Sequence, residues 1–299
     1  MKKIMKICIM LLLFFSIMAG CGAAEPEEET PAEDTEEATK EEAKDVEITF
    51  GVTPWTSTIP PTYVAKQILE DMGYTVHLQS ADAGAVYTGL SRGDIDVFMD
   101  SWLPDLHANY MERYGDTIDD TAVSYEEGEL GWVIPADMDI NSVEELQGNE
   151  DLFDGKIYGI DEGAGITVTS REIIEDYGLD LEYVSSSEAG MLSQARREIG
   201  QGNPVLFLGW RPHPMFVNWD LKVLEEDRGY FETSQVHVLT NIDFKDKAPE
   251  AYEFLSNWNI PVADVEEMIV KIDEGEDEDD VAREWIENNE QRVNEMKGE

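Results

Sequence analysis

The sequence predicts an α/β protein of two lobes with a ligand cleft between them. Three observations carry this. A strand–helix–strand–helix–strand pattern opens the body near Val46, and a second of like design restarts near Lys156. Two extended stretches, residues 131–134 and 236–241, stand where the chain would cross from one unit to the other and back. Alternating strands and helices imply parallel sheets wrapped by helices.

Val46, Ile48, Phe50 and Val52 alternate with polar or small residues, the period of a half-buried strand, which stops at Thr53, Pro54 and Trp55. Pro60 and Pro61 open a helix, where proline is tolerated. Val64, Ile68, Leu69 and Met72 form its inner face, and Gly73 ends it. Residues 74–78 read as a strand, 83–91 as a helix stopped near Gly93, and 95–99 as a strand running into Asp100, Ser101 and Trp102. In the second unit, 156–160 is a strand and 163–166 a glycine turn. Thr169 or Ser170 is a candidate cap for a helix ending at Gly178. Residues 181–184, 189–199 and 204–208 continue as strand, helix and strand, the last reaching Gly209 and Trp210. Helices over 249–258, 262–272 and 279–296 finish the chain. The expected division is 46–130 plus 239–299 for lobe one and 131–238 for lobe two.

The N-terminus carries an address. Lys2, Lys3 and Lys6 precede an apolar run over residues 7–18, then Ala19, Gly20 and Cys21. The run is too short to span ~30 Å of hydrocarbon and reads as a secretory signal over 1–20. Residues 17–21 resemble a bacterial lipobox, which implies lipidation of Cys21 and a membrane anchor on the extracytoplasmic face. The only other cysteine, Cys8, would leave with the signal, so no thiol remains for a disulfide or a Cys metal site. Residues 21–45 are rich in Glu, Ala, Thr and Pro and poor in large apolar groups, the composition of a disordered tether.

Sixty-six acids against 21 bases give a net charge of −45, which disfavours nucleic acid and anionic ligands and favours cations. Adaptation to high salt, where screening relieves self-repulsion, would explain the excess. Equal stability without salt and at molar salt would contradict it.

In open α/β sheets ligands bind beyond the carboxyl ends of strands. Those ends bring together Trp55, Trp102, the 163–166 turn and Trp210. Aromatic faces attract cations, by roughly 0.5–1 kcal/mol when exposed and about 2 or more when desolvated. A quaternary ammonium cannot donate N–H bonds, so a cage of rings suits it. Glycines at a helix start present backbone N–H groups to an anion. The two together suit a zwitterion, with His107 as a further donor to its carboxylate. Choline has no carboxylate and would call for an acid instead, for which Asp100 stands close. Tyr63 and Ser57 lie near site positions but serve equally well as helix caps or cover, and His213 reads as loop structure. Trp132, Trp219, Trp258 and Trp285 read as packing groups. The sequence has no H-E-x-x-H, its one G-x-S-x-G match (residues 89–93) falls at the end of the 83–91 helix rather than on a strand-to-helix turn, and its four histidines are scattered, so an extracellular hydrolase has the least support. No cofactor is expected.

Five stretches, 55–59, 93–96, 100–104 through His107, 163–166 and 209–213, resemble in order the substrate-binding proteins of glycine betaine/proline betaine ABC importers. The resemblance implies a two-lobed, type II-like periplasmic-binding-protein fold with the ligand in the interlobe cleft. It implies a box of Trp55, Trp102 and Trp210 around trimethylammonium, with the carboxylate held by Gly165, Ile166 and His107. It also implies an ABC permease as partner, and a monomer is expected. A choline- or carnitine-binding protein, or a sensing module with the same lobes, stays open at this point.

Overall fold

The computed structural model describes residues 44–231 and 234–299. The expected signal, Cys21 and nearly all of the tether lie outside them.

Strand β1 (Glu47–Val52) buries Ile48 and Phe50 on one side, as its alternation requires. It pairs in parallel with β2 (Thr75–Ser80) and β3 (Val97–Leu103). The crossovers are α1 (Ile59–Asp71), with both prolines in its first turn, and α2 (Ala83–Arg92). The Asp82 carboxylate caps α2 by accepting from the Ala85 N–H, and Gly93 at φ 75° closes it. Helix α3 (Ala108–Tyr114) leads into β4 (Ile118–Pro135).

The second unit holds β5 (Lys156–Tyr158), α4 (Gly165–Tyr177), β6 (Glu182–Val184), α5 (Glu188–Gln201) and β7 (Phe207–Arg211). A short α6 (Met215–Asn218) and β8 (Leu221–Val223) follow. Strand β9 (Ser234–Asn241) leads into α7 (Phe244–Lys247), α8 (Pro249–Ser256), α9 (Val262–Asp273), α10 (Glu278–Asn288) and α11 (Glu290–Lys297). Helices α9 and α10 pack on α1, where Lys66 Nζ donates to Asp279 at 2.7 Å, so the C-terminal segment covers the first unit.

The strand order is β2-β1-β3-β9-β4-β7-β5-β6, with β8 on β4. Strand β4 is the shared element. Its residues up to Gly128 pair antiparallel with β9, and from Glu129 onward with β7. The first half of the molecule is therefore β1–β3, β9, the start of β4 and the C-terminal helices. The crossovers α1 and α2 and helix α3 go with this half, and the second half is the rest.

Several elements differ from the sequence reading. Strands β3 and β7 run on through Trp102 and Trp210, which lie inside strands rather than beyond them. Helix α4 begins at Gly165, on the glycine turn itself, ahead of the expected caps Thr169 and Ser170. The extended stretch at 131–134 is the end of an 18-residue strand. Acids at 119, 120, 126, 127 and 129 and three register shifts against β9 break the period-2 pattern that would have revealed its start. The last predicted helix is two, parted at Asn289. Residues 234–238, grouped with lobe two in the sequence reading, pair with β3 and β4 in the first half.

Candidate ligand-binding site

Trp55 follows β1, and the 3-10 turn after it buries Ser57 and Thr58. Trp102 lies on β3, and His107 is the residue that precedes α3. The Trp102 backbone N–H donates to His107 Nδ1 at 3.0 Å, which leaves Nε2 as the protonated ring nitrogen. Burial lowers the His107 pKa to about 3, so the ring is a neutral donor at ordinary pH. Trp55 stacks on this ring, centroids 6.0 Å apart and 15° from parallel. Tyr87 meets the same ring edge-on at 5.5 Å.

Behind Trp102 is Asp100, fully buried. Its Oδ1 accepts from Trp102 Nε1 at 2.9 Å, and its Oδ2 from Ser57 Oγ at 2.9 Å and Thr58 Oγ1 at 2.6 Å. Burial raises the Asp100 pKa, against the pull of those three donors.

The second half supplies the opposite wall. Asp161 Oδ1 accepts from the Gly163 N–H at 3.2 Å and shapes the turn before α4. Helix α4 starts on Ala164, which has no side-chain oxygen to cap it, whereas α2, α5 and α10 are capped by Asp82, Ser187 and Asp277. The amides of Gly165 and Ile166 open the helix, where intrahelical acceptors are missing and the dipole is positive. Gly165 packs against backbone of the first half. A Cβ there would lie 2.7 Å from the Leu106 carbonyl carbon and closer still to its oxygen.

Trp210, on β7, presents its ring beside that of His213, edge-on at 4.9 Å. His213 Nδ1 accepts from the Met215 N–H at 3.0 Å, so Nε2 donates to Glu188, 3.1 Å away. Glu188 also accepts from the Thr56 N–H at 3.1 Å and from the Thr56 hydroxyl, which ties the second half to the residue after Trp55. Two further bonds join the halves: Trp55 Nε1 donates to Asp161 Oδ2 at 3.3 Å, and the Tyr110 hydroxyl to the Gly163 carbonyl at 2.9 Å. Trp102 and Trp210 are each followed, one residue on, by a cis X–Pro bond, Leu103–Pro104 and Arg211–Pro212.

Trp55, Trp102, His107, Gly165, Ile166 and Trp210 all line one cavity. With its mouth, it encloses about 330 Å³ of space not filled by atoms. Ser57, Leu106, Leu130, Ile160 and Ala164 complete the wall. Tyr63 and Asp100 are not part of the lining. Trp132, Trp258 and Trp285 sit elsewhere, with their N–H groups on Ser170, Ser124 and Asp264. Sequence reasoning missed Glu188 and Asp161, and read His213 only as loop structure. Nothing marks one functional acid among 66. Among the described residues, no group of three or more His, Cys, Asp or Glu is placed to hold a metal, and no helix is long and apolar enough to cross a membrane.

Two α/β halves joined through a shared strand, with a small aromatic cavity between them, define a solute-binding protein of the periplasmic-binding class. Residues 46–288 match the substrate-binding domain of ABC-type glycine betaine transport systems, and the chain belongs to that family. It is 33% identical to the glycine betaine/carnitine transport binding protein GbuC of Listeria monocytogenes, in a match over 46% of this chain and 47% of that protein. Lactococcal OpuAC, in its closed form complexed with glycine betaine, superposes with a TM-score of 0.79 at 26% identity, covering 84% of this chain and 99% of that one. An ABC-transporter choline-binding protein in complex with choline superposes at 0.77 with 27% identity, covering 83% and 91%.

Proposed function

We propose that the protein captures glycine betaine, or a close quaternary-ammonium zwitterion, outside the cytoplasm and delivers it to an ABC permease. One observation carries the reading: groups for both ends of a zwitterion line the same cavity. Trp55, Trp102 and Trp210 offer ring faces to the trimethylammonium. The Gly165 and Ile166 amides and the His107 Nε2–H offer donors to the carboxylate. Because both halves supply contacts, the ligand stabilises the closed arrangement over an open one. The halves then act as lobes on either side of the point where β4 changes partners. Choline fits less well, since Asp100 is already met by three donors and lies outside the lining. The lipobox-like sequence supports a lipid anchor at Cys21, and a cavity completed within one chain supports a monomer.

Calorimetric titration with glycine betaine and with choline, at low and high salt, tests this. Tight one-to-one betaine binding, weak choline binding and loss of binding in Trp102→Ala are expected. Tight choline binding would overturn the carboxylate assignment. No heat with either ligand at any salt would sink the quaternary-ammonium reading.

A further inference from the structure

The three indoles of the cavity differ in what stands behind them. Trp102 Nε1 donates to Asp100 at 2.9 Å, Trp55 Nε1 reaches Asp161 at 3.3 Å, and Trp210 Nε1 is buried without a partner among the described residues. Asp100 is unlike Asp161. It is wholly enclosed and takes all its hydrogen bonds from neutral donors. No cation is among its hydrogen-bond partners. A buried acid without a cation is costly, and removing donors from it would cost more. Here it is kept directly behind a ring that lines the cavity.

We propose that Asp100 is a positioning residue that makes the box select for positive charge: it fixes the Trp102 indole and, through the N–H, adds negative character to the ring that faces the ligand. The cation of the ligand then supplies, across the ring, the counter-charge that the protein does not. Cation–π attraction is electrostatic, and a hydrogen bond to an anion polarises the group that donates it, more so where little water screens it. The inference rests on the betaine reading above and concerns how that ligand is told from one of the same shape.

The test uses the full-length protein in detergent and two ligands, glycine betaine and 3,3-dimethylbutanoate. The second replaces the quaternary nitrogen by carbon, with the same outline and the same carboxylate but no positive charge. The measured quantity is the ratio of their affinities. Asp100→Asn keeps an acceptor for the Trp102 N–H and removes the charge. It should weaken betaine by roughly tenfold and leave the carbon analogue nearly unchanged, so that the ratio falls by about the same factor. A variant that weakens both equally would reduce Asp100 to a structural bracket and overturn the proposal. Should Asp100→Asn fail to fold, Trp102→Phe retains a ring but severs the link. The ratio must fall there too, and an unchanged ratio overturns the proposal equally. Wild-type protein that does not bind betaine at all would instead bring down the underlying reading, before any variant is compared.

Discussion

Trp102 and Trp210 face one cavity from strands of opposite halves, yet one indole N–H is held by a buried carboxylate and the other has no partner. The contrast extends outward from the rings. In the first half, Asp100, Ser57, Thr58, His107 and Trp55 form a continuous set of hydrogen bonds and ring contacts around Trp102. In the second half the corresponding groups point across the gap: Glu188 to Thr56, Asp161 to Trp55, Gly163 to Tyr110. The first wall is organised by itself. The second adds to its own contacts, Glu188 with His213 and Asp161 with Gly163, bonds that reach the first.

Gly165→Ala should break this contrast most severely. In the arrangement of the structure the new methyl overlaps the Leu106 carbonyl, an overlap that parting of the halves would relieve. Betaine affinity should drop about a hundredfold or more, while the thermal midpoint without ligand holds or rises slightly, since alanine favours a helix start over glycine. Calorimetry and a melting curve on the same sample check both. A fall in the ligand-free midpoint would mean that the contact supports the fold and not closure.

Glu188→Gln comes next. It keeps the side-chain shape but removes the charge that meets His213 and Thr56. Hydrogen bonds to charged groups contribute roughly 1.5–3 kcal/mol. A loss of about tenfold is expected, appearing as faster ligand release in stopped-flow fluorescence. An unchanged release rate would remove Glu188 from the closing contacts.

The smallest effect belongs to the organised wall. His107 has its pKa lowered by burial from 6.5 to about 3. Below pH 6.5 the unfolded chain takes up a proton that the native state refuses. This contribution is therefore full above pH 6.5 and is lost as pH falls toward about 3, at roughly 1 kcal/mol or a little more per pH unit. His107→Gln should flatten the stability curve between pH 6.5 and 5.5, before most carboxylates titrate. Denaturant midpoints at the two pH values, wild type against variant, measure it.

The sequence revealed the parts of the site whose chemistry is rare in it. Seven tryptophans among 299 residues are few enough that those at 55, 102 and 210 stood out by position, and four histidines made His107 visible. Glycine at 163 and 165 marked the turn as an anion-binding helix start, though the cap was sought later, at Thr169 or Ser170. Acids are too common here to be informative, so Asp161 and Glu188 could not be told from surface charge, and Asp100 was read as a possible ligand contact rather than as support for a ring. Strand β4 escaped for a related reason. Its acids face outward and its bulges shift the alternation, with Glu127 at φ 67°. Only pairing with β9 and β7 makes that segment a strand, and pairing is not written locally.

Gly128 is the last residue of β4 to pair with β9 before the strand passes to β7. A side chain there would lie 2.6 Å from Cζ3 of Trp102 and 2.9 Å from the Ser234 carbonyl. The point where β4 changes partners and the Trp102 ring of the box thus meet with no room for a side chain between them. A turn of one half on the other at this point would move the surface on which the indole rests, and pressure on the indole would load the same peptide. Occupancy and posture would in this way be read at a single peptide.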